Sequence, residues 1–567
     1  MSKKEKEKLK RKGNPWILFV LFFTVISVTL VARHCYPEPR IVQQSQHQYW
    51  RKVPLKSTRG IIQDVKGNAL VISDTIPSFA VDPSMLKSND IEEIRGIISD
   101  DLVEKIRTAM GTKSRFLWLD HKVADEIEAG KYKSLREKFG DARALIEIDE
   151  PYRKYTNNLL MSHVLGFCDT DNKGQAGIEQ YWDTMLYNPP GQKIVVRRQA
   201  SQPVSLFEND IDRKSVTPVV TLTLDSRIQY VVEKHLFKAA QDNGAKWAVC
   251  VCMDPNTGEI FSMASWPTYD PQNRKSLTLD ALSNSVVSRG YEPGSTFKPI
   301  YLAIALERGW ARTNENFFCP AKLKVADGFI RESNSNVAMG NIDTAQLLIK
   351  SSNVGMAQIG IRAEKTKMYE SLLAMGFGKE SDIELPGVAK GILPYPENWR
   401  GITPANIAIG QGLAVTPIQL ITAMGAIVNG GKLMSPYVVK EAVNSNGEIV
   451  YKGEPKVMRE VFTPETAAWI REAMRRVVLE GTGKRADTDF TELVGKTGTA
   501  QVPEGGKYSR NRYVASFIGF WPYEAPKYLM LVVIGEPSSG RIYGGELAAP
   551  TFKAIVEEMA ELEYYSS

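Results

Sequence analysis

Residues 16–32 read WILFVLFFTVISVTLVA, seventeen residues without a charge, of which only Thr24, Ser27 and Thr29 are polar. An apolar run of this length must be covered by lipid or by protein, so it constrains the topology of everything after it. As a helix it spans about 26 Å, slightly short of a hydrocarbon core of roughly 30 Å but workable with snorkelling flanks. Residues 1–12 (MSKKEKEKLKRK) set seven bases against two acids ahead of it, whereas only Arg33, His34 and Arg40 follow closely. The positive-inside bias then puts residues 1–15 in the cytoplasm and the rest of the chain across one membrane. A cleaved signal peptide is the rival reading. Its apolar region would run to only about 7–15 residues, and the exit here, Ala32-Arg33-His34-Cys35-Tyr36-Pro37, offers no small-x-small site. The expectation is an uncleaved, single-pass signal anchor at residues 16–32.

The basic tail absorbs nearly all of the formal charge of +6. A body so close to neutral excludes a protein that works by wrapping nucleic acid. With 43% hydrophobic and 24% charged residues, wholesale disorder is excluded as well. None of the five cysteines, Cys35, Cys168, Cys250, Cys252 and Cys319, has zinc-site spacing. Cys250 and Cys252 alternate with valine in AVCVCMD and read as apolar filler on one face of a strand.

Residues 33–217 are polar and irregular and read as a modular pedestal, with extended chain at 60–73 and a charged helical run around 91–110. Residues 218–567 open with a strand at 219–224 (VVTLTL). Asp225 then suits the N-cap of an amphipathic helix that stops at Asn243-Gly244. Strand-like runs follow at 246–253 and 259–264 around Asp254-Pro255-Asn256-Thr257-Gly258, and again at 493–502, 512–520 and 528–535, before a last helix at 547–562. A long helical middle, 299–426, lies between them. Hairpins at both ends of this domain predict an α+β layered fold, an antiparallel sheet of about five strands with helices on its faces.

No histidine follows His235, so a Ser-His-Asp or Cys-His centre confined to the C-terminal half is excluded and lysine is the best remaining base. In Tyr291-Glu292-Pro293-Gly294-Ser295-Thr296-Phe297-Lys298-Pro299, the Pro-Gly turn sets Ser295 at a helix start with Lys298 one turn on and on the same side. Free backbone N–H groups at such a start suit a developing oxyanion. S-x-x-K alone is a weak signal and recurs at Ser84 and Lys87 in a pedestal loop. Order strengthens it: Ser351-Ser352-Asn353 follows, then Gly495-Lys496-Thr497-Gly498-Thr499 in a strand-like run. A further S-x-N at Ser509 and Asn511 falls after the Lys-Thr-Gly and breaks the order. Taken singly, the second motif could be a helix cap and the third a close-packed strand.

In this order S-x-x-K, S-x-N and K-T-G resemble the serine penicillin-recognising enzymes. The likeness extends to Met253-Asp254-Pro255-Asn256-Thr257-Gly258-Glu259-Ile260, to the run from Gly410-Gln411-Gly412 through Val415-Thr416-Pro417, and to Gly481-Thr482-Gly483. In the pedestal, Arg59-Gly60 with Ile62, Asp64, Gly67 and Leu70, then Arg153, Tyr155, His163-Val164-Leu165-Gly166 and Gly177-Ile178-Glu179, are similar to the membrane-proximal motifs of class B penicillin-binding proteins. Thr156 and Asn158 stand where that family has Pro and Gly, and Val65-Lys66 replace an Arg-Asn, which affects local turns of the pedestal. His163 reads as a packing residue there. Ser351-Ser352-Asn353-Val354-Gly355 and Leu385-Pro386-Gly387 look like the division-type (septal) transpeptidase, the elongation-type relative being the alternative.

The resemblance implies a peptidoglycan D,D-transpeptidase of a bacterial cell membrane, its catalytic domain extracytoplasmic. Ser295 would attack the penultimate D-alanyl carbonyl of a stem peptide, with Lys298 as the neutral base, kept so by burial and by the Lys496 cation. Ser351 would relay a proton to the leaving amine and Asn353 would hold Lys298 and the substrate amide. Lys496, Thr497 and Thr499, with Gly498 between them, would bind the terminal carboxylate, and the backbone N–H groups of Ser295 and Thr499 would form the oxyanion hole. The route calls for no metal or nucleotide. The partners implied are stem peptides, β-lactams, a separate (SEDS-type) glycan-polymerising membrane glycosyltransferase and other division-complex membrane proteins. A D,D-carboxypeptidase or β-lactamase, and a division scaffold with a dead site, are the alternatives.

Overall fold

A computed structural model describes residues 15–35, 50–54, 58–188, 192–198, 202–204 and 216–564, apart from 96, 113, 124, 140–141, 274–276, 327 and 334–336. The basic tail of residues 1–12 lies outside the described residues. The chain forms two compact units, residues 1–57 with 189–215 and residues 58–188 with 216–567.

The first unit contains the helix Pro15–Cys35 and an antiparallel sheet in which Gln192–Arg198 pairs Trp50–Pro54 on one side and Gln202–Val204 on the other. All seventeen side chains at 16–32 are exposed. Among the described residues, no helix is long and apolar enough to cross a membrane. The apolar run with described side chains ends about one turn short of a roughly 30 Å hydrocarbon core.

The second unit holds two main sheets. In the first, the long strand Ala69–Val81 pairs Leu145–Tyr155 and Ile61–Gln63, which runs parallel to Val219–Leu222. Val219–Leu222 also pairs Val439–Val443. The alternation of Val220 and Leu222, both buried, identifies a strand but not its partner, and leaves open whether it joins the five-stranded sheet. Ile61 N–H donates to Pro218 O at 2.8 Å, which recruits the run to the pedestal strand instead.

Pedestal motifs that are far apart in sequence meet around one carboxylate. Arg59 Nε donates to Glu179 Oε2 (2.5 Å) and Arg153 Nε to Glu179 Oε1 (2.6 Å), with Arg59 Nη1 also on Asp183 Oδ1 (2.7 Å). All three side chains of the Arg59–Glu179–Arg153 group are buried. Burial raises the Glu179 carboxyl, but Arg153 and Arg59 outweigh it and leave the group below its ordinary range. Despite the departures noted above, the turns form. Gly67 N–H donates to Asp64 O and Thr156 N–H to Leu70 O. His163 packs edge-on against Tyr269 with its Nε2 2.8 Å from Ala281 O, and burial pushes it down to about 4, so it is a neutral packing residue. Ser84 and Lys87 are exposed, with Ser84 Oγ on Asp82 and Lys87 N–H on Asp90.

The second sheet follows the sequence reading closely. Its strands are β1 (Trp247–Met253), β2 (Ile260–Trp266), β3 (Val494–Glu504), β4 (Lys507–Trp521) and β5 (Tyr528–Gly535), ordered β2-β1-β5-β4-β3 with every pair antiparallel. α1 (Ser226–Asp242) starts at Asp225, whose side chain accepts from Arg227 N–H, and ends at Asn243. Alternate residues of β1 serve opposite layers. Cys250 and Cys252 join α1 and the C-terminal helix Ala548–Tyr564 on one face; Val249 and Val251 join the helix Pro417–Val428 on the other. Each fully buried valine of this kind contributes about 1.5–3 kcal/mol.

The middle is not wholly helical. Asn316–Cys319 pairs Gly340–Asp343, and Lys322–Val325 pairs Gly328–Arg331. Strands of four residues carry too few positions for a period to show in the sequence. The second ribbon delivers Glu332 to the site.

Candidate active site

Ser295 lies in a 3-10 turn, Gly294–Phe297, that runs directly into α2 (Lys298–Glu307). The sequence placed Ser295 at the α-helix start; the α-helix begins three residues later. Pro299 has no N–H to donate to Ser295 O, so Lys298 N–H takes that carbonyl and the turn tightens to i→i+3. The turn is backed by the loop at 410–412, where Gly294 N–H donates to Gly410 O at 3.0 Å. Gly410 has φ +79°, and a Cβ there would lie 2.1 Å from Gly294 O, so only glycine permits the approach.

The second motif sits at the N-terminus of α3 (Asn353–Arg362). Ser352 caps it, accepting from Gly355 N–H, while Ser351, at φ +57°, turns its hydroxyl and carbonyl back toward α2. Lys298 Nζ donates to Ser351 O (2.7 Å), Asn353 Oδ1 (2.7 Å) and Ser351 Oγ (3.3 Å). From the opposite side Lys496 Nζ donates to the same Ser351 Oγ (3.0 Å) and to Thr497 O (3.0 Å). Both lysine side chains are fully buried. Ser295 is half-buried, and its hydroxyl makes no hydrogen bond to Lys298 here, since the amine is turned onto Ser351 and Asn353.

Burial pushes Lys298 down to about 7, against a smaller opposing pull from Glu332. Lys496 is pushed well below its ordinary value, first by burial and then by the charge of Lys298. The sequence reading had burial and the Lys496 cation together keep Lys298 neutral. The structure sets the two amines on either side of Ser351 Oγ, with burial the largest cause of the depression on both. Two ammonium groups sharing one hydroxyl oxygen in a dry site do not both stay charged.

Lys496, Thr497, Gly498 and Thr499 line the edge strand β3. Thr497 Oγ1 lies 2.6 Å from Thr482 Oγ1, and Gly544 N–H donates to Thr499 Oγ1 at 3.1 Å. A cleft of about 300 Å³ lined by Lys350, Arg476, Gly481 and Thr482 opens beside this pair. A Cβ on Gly498 would lie 2.4 Å from Ser516 Oγ and 2.9 Å from Thr296 Cγ2, next to the nucleophile's turn. G498A therefore overpacks the seam between β3 and that turn. It should cost about 1–3 kcal/mol and slow acylation, read by thermal melting and by labelling rate; an unaltered rate would contradict this account of the glycine.

Glu332 carries no signal in the sequence. Its buried carboxylate accepts from Ser352 Oγ (2.6 Å), Asn353 N–H (2.7 Å) and Val354 N–H (3.3 Å), holding the first turn of α3 where the orphan N–H groups and the helix dipole favour an anion. A lone acid after a four-residue ribbon has no spacing that distinguishes it; only proximity does.

The penicillin binding protein transpeptidase domain model matches residues 248–557, and the penicillin-binding protein dimerisation domain model matches residues 54–215. The chain belongs to the penicillin-binding protein transpeptidase family. Stage V sporulation protein D of Bacillus subtilis is 31% identical over 96% of this chain and 85% of its own length. Peptidoglycan D,D-transpeptidase FtsI of Escherichia coli K12 is 27% identical over 91% of this chain and 85% of its own. Penicillin-binding protein 3 of Mycobacterium tuberculosis, crystallised with aztreonam, shares the fold with a TM-score of 0.68 at 24% identity, covering 90% of this chain and 97% of that one. This penicillin-binding transpeptidase is thus a class B member, carrying its dimerisation domain ahead of the catalytic one.

Proposed function

We propose that the chain is a peptidoglycan D,D-transpeptidase that cross-links stem peptides through an ester on Ser295, in septal wall synthesis. The observation that carries this is the Ser351 hydroxyl held between two buried lysines, of which Lys298 lies one turn on from the half-buried Ser295. Ser295 Oγ attacks the penultimate D-alanyl carbonyl as Lys298, neutral, takes its proton. The N–H groups of Ser295 and Thr499 receive the oxyanion, where loss of one such donor costs about 2.7–4 kcal/mol. Lys496, Thr497 and Thr499 bind the terminal carboxylate. That anion restores the charge on Lys496, and repulsion across Ser351 Oγ then favours the neutral form of Lys298. Ser351 passes the proton to the leaving D-alanine amine, Asn353 holds Lys298 and the substrate amide, and a second stem-peptide amine resolves the ester.

We assign residues 33–217 to the class B pedestal and 218–567 to the transpeptidase domain. Residues 16–32 are the membrane anchor, with residues 1–15 cytoplasmic and the catalytic domain extracytoplasmic. The exposed apolar side chains of that helix and the basic tail ahead of it support this. Residues 54–215 match the dimerisation domain model, and this supports a SEDS-type glycosyltransferase and other division-complex membrane proteins as partners through anchor and pedestal.

The purified protein, given a D-Ala-D-Ala donor and a stem-peptide amine, should release D-alanine and form the cross-linked amide. Its penicilloyl ester should persist for many minutes; hydrolysis within seconds would make it a carboxypeptidase or β-lactamase instead. Because Lys298 is neutral only above about 7, the acylation rate should rise about tenfold per pH unit below pH 7 and level off above it. A rate independent of pH between 5 and 8 would remove Lys298 as the base.

A further inference from the structure

Glu292, three residues before Ser295, is a half-buried titratable group that the mechanism above does not use. Its Oε1 accepts the Gly412 N–H at 3.0 Å and the Tyr508 hydroxyl at 3.4 Å. Its Oε2 is buried and has no hydrogen-bond partner. Burial pushes the carboxyl up to about 7, against the opposing pulls of Gly412 N–H and Tyr508; no cationic side chain faces it among the described residues.

Three pieces of chain converge on that one oxygen. Glu292 belongs to the nucleophile turn, which Tyr291 anchors by reciprocal backbone bonds with Val415 (3.0 and 2.9 Å). Gly412 belongs to the loop whose Gly410 backs onto Gly294. Tyr508 stands at the tip of the β3–β4 hairpin, opposite Pro503 in the register. This hairpin carries Lys496, Thr497 and Thr499. Farther down the same hairpin, Gly498 packs against Thr296, so the hairpin is held to the turn at two points, one by packing and one by the Glu292 carboxyl.

We propose that Glu292 is a positioning residue that ties the nucleophile turn to the tip of the hairpin bearing Lys496 and Thr499, fixing the distance between Ser295 and its oxyanion and carboxylate donors. Glu292 touches no reacting atom; it acts through Tyr508 and Gly412. The inference rests on the reading of Ser295 as nucleophile. Without the tie the hairpin tip is free to swing, and a displacement of about 1 Å at such a site costs roughly 100-fold in rate.

The test is the acylation rate of the full-length protein by a fluorescent penicillin, beside thermal melting, for wild type, E292A, E292Q, Y508F and S295A. E292A should acylate about 10–100-fold more slowly. E292Q, which keeps an acceptor for both donors, should restore the rate to within about threefold of wild type, a rescue that lost packing alone would not show. Y508F, a change on a partly exposed ring, should melt as wild type does and acylate about 3–10-fold more slowly. E292A at the wild-type rate, or E292Q as slow as E292A, overturns the proposal. If E292A does not fold, Y508F decides it: a wild-type rate there overturns it. Labelling of S295A equal to wild type would instead refute the nucleophile, a different failure.

Discussion

S295A abolishes covalent labelling by a fluorescent penicillin, while the protein still melts as wild type does. The expected loss is complete because the ester has no other oxygen to form on. The neighbouring hydroxyls are committed: Ser351 Oγ receives both Lys298 and Lys496, Ser352 Oγ is held by Glu332, and Thr296 Oγ1 donates to Pro293 O at 2.8 Å. Folding should be indifferent, since Ser295 is half-buried and its hydroxyl satisfies no structural donor or acceptor. Gel fluorescence after denaturation, with mass spectrometry of the peptide containing residue 295, reads the result. Equal labelling of wild type and S295A would end the assignment of the site.

E179A destabilises the protein by about 3–5 kcal/mol, because it leaves two buried guanidinium groups facing each other without their shared anion. Arg59 and Arg153 each meet Glu179 at 2.5 and 2.6 Å, with side chains 3% and 4% exposed against 0% for the carboxylate. Such a loss lowers the melting temperature by several degrees for every domain that unfolds with it. Acylation per folded molecule should not change, since no member of the cluster contacts Ser295, Lys298, Ser351 or Lys496. The same cluster sets an acid limit. Glu179 in the folded state lies below its ordinary value of 4.5. Its stabilisation is therefore present above that value and is lost as pH falls through the lower folded one. Melting of wild type from pH 7 to 3 should show this decline, and E179A should show a shallower one. Equal slopes would exclude Glu179 as its source.

Much of the catalytic domain was legible because its signals are local. β1 alternates valine with cysteine and is buried on both faces, α1 begins at an aspartate cap, and the β1–β2 hairpin carries Asp-Pro-Asn-Thr-Gly at its turn. The four-residue ribbons of the middle were not legible, because a strand that short has no period. The partner of Val219–Leu222 was not legible either. Alternation assigns the faces of a strand, but its neighbour is chosen by whichever unpaired edge the fold brings alongside, here Ile61–Gln63 from the far end of the chain.

From its own residues the chain determined the identity and order of the chemical groups: a serine and a lysine spaced by two residues, a Ser-x-Asn, a Lys-Thr-Gly, and no histidine after His235 to compete with lysine as base. These depend on covalent spacing and on the conformations that Pro, Gly and Asp impose within a few residues. Only the tertiary structure decided that Ser351 stands between the two lysines, that Glu332 holds the second motif, and that Glu292 reaches a hairpin more than two hundred residues away. Desolvation and charge–charge coupling act through space over a few ångströms, and those distances are set by packing between segments that the chain order leaves far apart.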